Sequence, residues 1–245
     1  MKNDFTIKEY KSLLSLAKKN YEFILYDEID YNKKFVIWRH DIDLSLNRAK
    51  KLAIIENQFD INSTYFINPH SEYYNILEKS QSQIIYQIIE LGHKIGIHFD
   101  SEFYNVSKED QLKDYLKNEI DLFKSIFNIK PSVFSFHNPT KFLLTCEKEK
   151  YAGLINTYSK KFKNKISYIS DSNGYWRFRR LKNVLNENED KHLHILTHPG
   201  WWVEKEMEPF ERIKRCVNGR ANNILNKYHA DLKKDGRLNI KKALK

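Results

Sequence analysis

Apolar residues along this chain fall in short blocks whose spacing alternates between two periods. Phe35-Val36-Ile37-Trp38 is a continuous run of strand length, and Ala49, Leu52, Ala53 and Ile55 then mark one stripe of a helix that Ser45 is placed to cap. Ser63-Thr64-Tyr65-Phe66-Ile67 returns to strand character, rich in β-branched and aromatic residues. Ile84, Ile85, Ile88, Ile89 and Leu91 predict a second helix that Gly92 can end, and Ile95-Gly96-Ile97-His98 a third strand. Leu112, Leu116, Ile120, Phe123 and Phe127 lie on one side of a helix predicted over 108–127, and Pro131 precedes the strand Val133-Phe134-Ser135-Phe136-His137. Shorter strands at 154–158 and 167–170 have little helix around them. His194-Ile195-Leu196-Thr197 is the last strand, and a basic helical segment begins near Pro209. Strands alternating with helices predict an α/β fold with a parallel sheet, and about seven such units suggest a (β/α) barrel.

A parallel barrel gathers its C-terminal strand ends at one face, so residues far apart in sequence can share a site there. The polar clusters of this chain sit at such ends. Arg39-His40-Asp41-Ile42-Asp43 closes the first strand; Asp41 and Asp43, two positions apart, project to one side if the strand persists. Together they can hold a metal and leave one carboxylate to act as a base, with Arg39 beside them as a substrate-binding candidate. His98 closes the third strand, where a neutral imidazole is a good ligand for zinc or another first-row metal, with Asp100 and Glu102 close by. His93, at the start of the same strand, faces the opposite end and reads as structural. His137 ends the next strand ahead of Asn138-Pro139, and His198 ends the last, ahead of Trp201 and Trp202, which can wall a pocket. The loop Ser170-Asp171-Ser172-Asn173-Gly174-Tyr175-Trp176-Arg177 can orient a catalytic histidine and offer Tyr175 or Trp176 for sugar stacking. His192 and His194 are expected to lie outside the site.

Length and composition narrow the class. At 245 residues with 41% hydrophobic content the chain suits one large α/β domain over 1–245, with a core at about 35–202 and a basic helical extension at about 206–245. The net charge of +10 comes from lysines spread along the chain, with clusters at Lys160, Lys161, Lys163 and Lys165 and near the C-terminus. No arginine-rich helix or RNA-binding aromatic signature accompanies it, so a solvated face is the first reading and nucleic acid is not an expected partner. A basic rim that attracts an anionic substrate, a nucleotide-linked sugar or a lipid surface is the functional alternative. The N-terminal segment has no apolar signal core, and no apolar run approaches the roughly 20 residues of a membrane span, which makes cytoplasmic residence the expectation. Cys146 and Cys216 lack metal-ligand spacing and read as free thiols.

In order, the motifs R-H-D-x-D, H-x-I-G-x-H, a strand ending F-H-N-P, S-D-S-N-G-x-W and L-T-H-P, running from Phe35 to Trp202, resemble the polysaccharide deacetylase superfamily, the carbohydrate esterase family 4-like group. The resemblance implies a distorted or incomplete barrel, a divalent metal, usually zinc, and removal of an N-acetyl group from an amino sugar. It implies Asp41 as catalytic base, Asp43 and His98 as metal ligands, His198 as catalytic acid, and Asp171 and Trp176 as the motif that supports that acid and shapes the pocket. The family's second metal histidine, four residues after the first, is replaced here by Glu102, and the usual Arg-Pro motif by His137-Asn138-Pro139. His137 is therefore the first choice for third ligand, ahead of Asp100 and Glu102. The expected activity is metal-dependent hydrolysis of an N-acetyl or other N-acyl group on an amino sugar. The expected substrate is nucleotide-linked, lipid-linked or an oligosaccharide, and a precursor of a surface polysaccharide. A non-catalytic carbohydrate-binding barrel is the alternative.

Overall fold

The computed structural model describes residues 4–239. Its elements run α1 (Ile7–Asn20), β1 (Glu22–Phe23), β2 (Phe35–Ile42), α2 (Leu46–Gln58), β3 (Thr64–Ile67), α3 (Lys79–Glu90), β4 (Lys94–Asp100), α4 (Gln111–Phe127) and β5 (Val133–His137). They continue with β6 (Lys150–Tyr151), β7 (Leu154–Asn156), α5 (Lys160–Lys165), β8 (Ser167–Ser170), α6 (Leu181–Glu187), β9 (His192–Thr197) and α7 (Pro209–Lys234). The sheet order is β6-β7-β5-β4-β3-β2-β9-β8, with β1 beside the start of β2. Every pairing is parallel except β6 with β7. The sheet curls, but β8 does not pair with the strands at the other edge, so the barrel is incomplete.

Strand parity decides what this fold does with its polar residues. All eight residues of β2 are buried because both faces of the sheet are covered. Its even-numbered side chains Val36 and Trp38 pack outward against α1, α2 and α6. Its odd-numbered Phe35 and Ile37 point inward, where they meet Phe66, Val133, Phe162 and Ile166. On that inward side Arg39, Asp41 and Asp43 follow. In β4 the outward Ile95, Ile97 and Phe99 join the large cluster under α3 and α4, leaving Gly96, His98 and Asp100 inside. Gly96 leaves room for a neighbour: a Cβ there would stand 2.6 Å from the Phe66 ring, so any larger residue would have to displace that ring.

Helix boundaries follow local chemistry. Ser45 Oγ accepts from the Arg48 amide at 3.4 Å at the start of α2, and Gly92 turns the chain after α3 with φ at 91°. The packed core reaches beyond 35–202 at the N-terminal side: Tyr10, Leu13 and Leu14 of α1 are fully buried against Trp38 and Trp202. The pattern around 160–187 also hides two short helices, α5 and α6. The C-terminal basic segment does form a helix, α7, docked chiefly through Arg212 and Cys216 near its start; its final residues, 240–245, lie outside the described residues. Cys146 and Cys216 are both buried free thiols. Among the described residues no helix is long and apolar enough to cross a membrane.

Candidate active site

Register and parity together bring the inward polar residues of four strands, β2, β4, β5 and β9, to one end of the half-barrel. β2 pairs Asp41 with Phe66 of β3, β4 pairs His98 with Ser135 and Asp100 with His137 of β5, and β9 pairs Leu196, two residues before His198, with the inward Arg39. Asp43, His98, His137 and His198 thus surround one point.

Three of them form a tight triangle. His98 Nε2 lies 3.1 Å from Asp43 Oδ1 and 3.1 Å from His137 Nδ1, and His137 Nδ1 lies 3.4 Å from Asp43 Oδ1. Donors held at about 2.0–2.1 Å from a zinc-like ion in tetrahedral array stand about 3.3 Å from one another, so this spacing fits a divalent ion capped on one side by two imidazoles and a carboxylate. His98 Nδ1 meets Ser135 Oγ at 2.8 Å, which fixes the ring so that Nε2 faces the triangle. Among the described residues this is the group of His, Cys and carboxylate ligand atoms close enough to share an ion. Asp100 and Glu102 do not join it: Asp100 Oδ1 accepts from the amides of Glu102 and Phe103, and Glu102 is exposed.

Charge and solvation reinforce the geometry. Burial alone would raise the Asp43 pKa, but hydrogen bonds from His137 and His98 and the charge of His198 hold it far below the carboxylate range. Burial lowers the His137 pKa and Asp43 more than restores it, leaving the ring above its ordinary value.

A second unit faces the triangle. His198 Nδ1 is 2.6 Å from Asp171 Oδ1, and the His198 amide donates to both Asp171 oxygens at 2.9 and 3.1 Å. Trp202 Nε1 donates to Asp171 Oδ2 at 3.1 Å, so this fully buried carboxylate is saturated. His198 Nε2 is left pointing at Asp43 Oδ2, 3.7 Å away. Burial pulls the His198 pKa down, but Asp171 overrides it and lifts it to about 9. Desolvation in turn raises Asp171. Asp41 lies beside both units. Its Oδ2 accepts from Arg39 Nη2 at 2.9 Å, while Oδ1 is buried and, among the described residues, has no hydrogen-bond partner.

These groups open into a cleft of about 510 Å³ walled by Tyr158, Tyr168, Arg177, Phe178 and Trp201. Three of the expected substrate-binding residues, Arg39, Tyr175 and Trp176, lie outside the lining of this cleft. Arg39 is only 1% exposed, with its Nη2 engaged by Asp41. Tyr175 and Trp176 do not line this cleft. Trp176 stacks on Phe5 at 5.4 Å, and both line a separate concavity with Met207 and Arg212, because the short turn after Asp171 directs them toward α1 and α7. His93 is spent on structure, taking the Ser63 amide at 3.2 Å and meeting the Ala53 carbonyl at 3.0 Å. His194 meets Tyr26 Oη at 2.7 Å, and His192 the Tyr31 carbonyl at 3.1 Å, both away from the cleft. Sequence reasoning missed Ser135, although the alternation Ser135-Phe136-His137 places it on the inward face. It also missed Tyr158 and Tyr168, which only the curl of the sheet brings to the cleft.

No protein-family model matches the chain, and none of the curated proteins compared with it matches. Solved structures do. The fold resembles family 4 carbohydrate esterases. One, from Bacillus anthracis, is 15% identical, with 96% of this chain and 90% of that chain covered and a TM-score of 0.46. The chitin deacetylase of the fungus Colletotrichum lindemuthianum is 14% identical over 76% of this chain and 81% of its own, TM-score 0.42. A family 4 pseudoenzyme from Bacillus anthracis is 12% identical over 79% of this chain and 63% of its own, TM-score 0.42.

Proposed function

We propose that this chain is a metal-dependent hydrolase that removes an N-acyl group, acetyl in the simplest case, from an amino sugar. The observation that carries the reading is the meeting of the Asp43, His98 and His137 triangle with the His198–Asp171 pair and Asp41 in one cleft. A binding barrel would have no use for a buried carboxylate with a free oxygen beside an imidazole held protonated.

Asp43, His98 and His137 would hold the ion, and two imidazoles with one carboxylate suit zinc. When bound, such an ion supplies a Lewis acid for the amide oxygen and for an attacking water. Asp41 takes the proton of that water through Oδ1, since Arg39 already occupies Oδ2. His198, protonated at neutral pH, gives its Nε2 proton to the departing nitrogen; without that proton an amine anion would have to leave. Asp171 keeps the ring in the orientation that presents Nε2. Tyr158, Tyr168 and Trp201 offer the aromatic walls that sugar rings pack against. The products are a carboxylate, acetate in the simplest case, and a free amino sugar, which suits a step on a surface-polysaccharide precursor.

The test is elemental analysis of the purified protein and its His98→Ala and His137→Ala variants, alongside acetate release from N-acetylated chitooligosaccharides. About one equivalent of zinc or a similar metal is expected, lost together with activity in both variants. Failure to bind any divalent ion after reconstitution would overturn the hydrolase and leave a non-catalytic sugar-binding barrel.

A further inference from the structure

Behind the turn that follows Asp43 lies another concavity, between the start of α2 and the first half of α7. It encloses about 400 Å³ and brings Arg48 of α2 together with Arg215 and Arg220 of α7. Three guanidiniums in one cleft repel each other unless carboxylates separate them; among the described residues no Asp or Glu lines this one, and Glu78 beside it forms an ion pair with Arg220 alone. Arg220 gives one nitrogen to Glu78 at 2.5 Å, while its Nη1 is buried and, among the described residues, has no partner. Among the described residues Arg215 donates to the Gly200 carbonyl at 3.0 Å and to Cys216 Sγ at 3.8 Å. Burial and the neighbouring Arg215 both push the Arg48 pKa below its ordinary value. The first turn of α2 holds no acidic residue, so the positive end of a 13-residue helix adds to the same field.

The cleft is joined to the reaction centre by short stretches of chain. Leu44, next to Asp43, forms part of its wall, and Ser71 Oγ donates to the Asp43 carbonyl at 3.2 Å. Tyr73 lines this cleft and also the one that contains Asp43 and His137. An anion seated among the arginines would therefore be reached from the proposed acyl-binding point around a single side chain.

We propose that the Arg48, Arg215 and Arg220 cleft binds a phosphate or diphosphate of the substrate, so that the amino sugar is presented on a phosphoryl carrier and not as a free glycan. This rests on the hydrolase reading for the identity of the sugar, but the anion site can be tested apart from it. Guanidinium forks match phosphoryl oxygens bidentately, which suits the three arginines of this cleft to such a ligand.

The first measurement is calorimetric titration of the full chain with inorganic pyrophosphate. Binding that weakens with added salt is expected, at least about tenfold weaker in Arg48→Gln and in Arg220→Gln, and unchanged in His98→Ala. Circular dichroism of both arginine variants separates lost binding from lost folding. The second measurement is acetate release from three probes: uridine diphosphate N-acetylglucosamine, a short isoprenyl diphosphate N-acetylglucosamine, and neutral N-acetyl chitotetraose. Arg48→Gln should raise the KM for a diphosphate-linked probe about tenfold and leave the tetraose unchanged; which diphosphate probe responds identifies the carrier. Pyrophosphate that fails to bind, or binds equally well to all variants, overturns the inference. Hydrolysis of the tetraose alone would do the same and leave the hydrolase reading standing. Arginine-dependent pyrophosphate binding without hydrolysis of any probe would uphold the anion site and sink the hydrolase.

Discussion

The two faces of β2 carry two histidine–carboxylate clusters of nearly the same composition, and they have opposite fates. Outward, His40 meets Glu56 Oε1 at 2.6 Å, Tyr10 donates to the same oxygen, and Ser63 and Tyr65 donate to Oε2 at 2.6 and 2.7 Å. Thr197 closes the other side of His40 at 2.8 Å. His40 and Glu56 are both completely buried, and every lone pair of the carboxylate is spoken for. Inward, Asp41 keeps an oxygen that has no hydrogen-bond partner among the described residues, and Asp43 has 28% of its side chain exposed while sharing one oxygen between two imidazoles. Residue type therefore does not separate a structural cluster from a chemical one. Saturation does: a closed network rigidifies, and a site that is to bind or move protons must keep valences open.

The largest effect that sharpens this contrast is expected from the pair facing the cleft. His198→Gln removes the proposed acid and should lower kcat by about 10²–10⁴ while the purified protein keeps its metal. Asp171→Asn leaves the ring but takes away what holds it protonated. The reaction needs His198 protonated, so its rate falls as pH rises through the His198 pKa. That alkaline limb should move to lower pH in Asp171→Asn, because burial then acts without the carboxylate that lifts the pKa to about 9. A pH–rate profile checks it; an unmoved limb with full activity would remove His198 from the chemistry.

Breaking the sealed cluster should do the reverse, costing stability and sparing chemistry. Glu56→Ala strands four donors in the core and should destabilise the fold by about 3–5 kcal/mol in urea unfolding, with metal content of the folded protein unchanged. Acid offers a gentler version. Burial would raise the Glu56 pKa, but His40 and the other donors outweigh it and depress it from 4.5 to about 2. The stabilisation is present above the unfolded value and lost as pH falls from about 4.5 toward 2, a loss of about 3 kcal/mol. Glu56→Gln should flatten that stretch of the stability curve. A variant that unfolds in acid as the parent does would mean that other carboxylates govern the transition.

The same contrast explains what was legible from the sequence. Periodicity located most of the longer sheet strands, because a strand buried on both faces must be nearly all apolar, as Phe35 to Trp38 is. Asp43, His98 and His198 could be singled out because polar residues at the ends of such runs are conspicuous. Glu56 was invisible as a partner of His40: on α2 it looks like any solvated helix glutamate, and only packing against β2 and β3 buries it. Tyr175 and Trp176 misled for a related reason. Aromatic content marks a residue that packs, but the backbone after Asp171 decides on which side. The short helices α5 and α6, of six and seven residues, are held by tertiary contact with too few turns to display a period.

The smallest predicted effect sits at the boundary between the two regimes. Ser135 is completely buried, like a member of the sealed cluster, yet its hydroxyl touches His98 Nδ1 at 2.8 Å, one bond away from the open site. Its inward position follows from pairing with His98 across β4 and β5, so the strand register itself chooses the tautomer that leaves Nε2 free for the proposed ion. Ser135→Ala deletes little volume and should leave unfolding almost unchanged. Metal affinity, followed by competition with a chromophoric chelator, should fall by about 10–100-fold, with Ser135→Thr recovering part of it. A change in stability with metal affinity intact would place Ser135 with the sealed cluster instead, and would mean that the His98 ring is held by packing against its neighbours and not by a hydrogen bond.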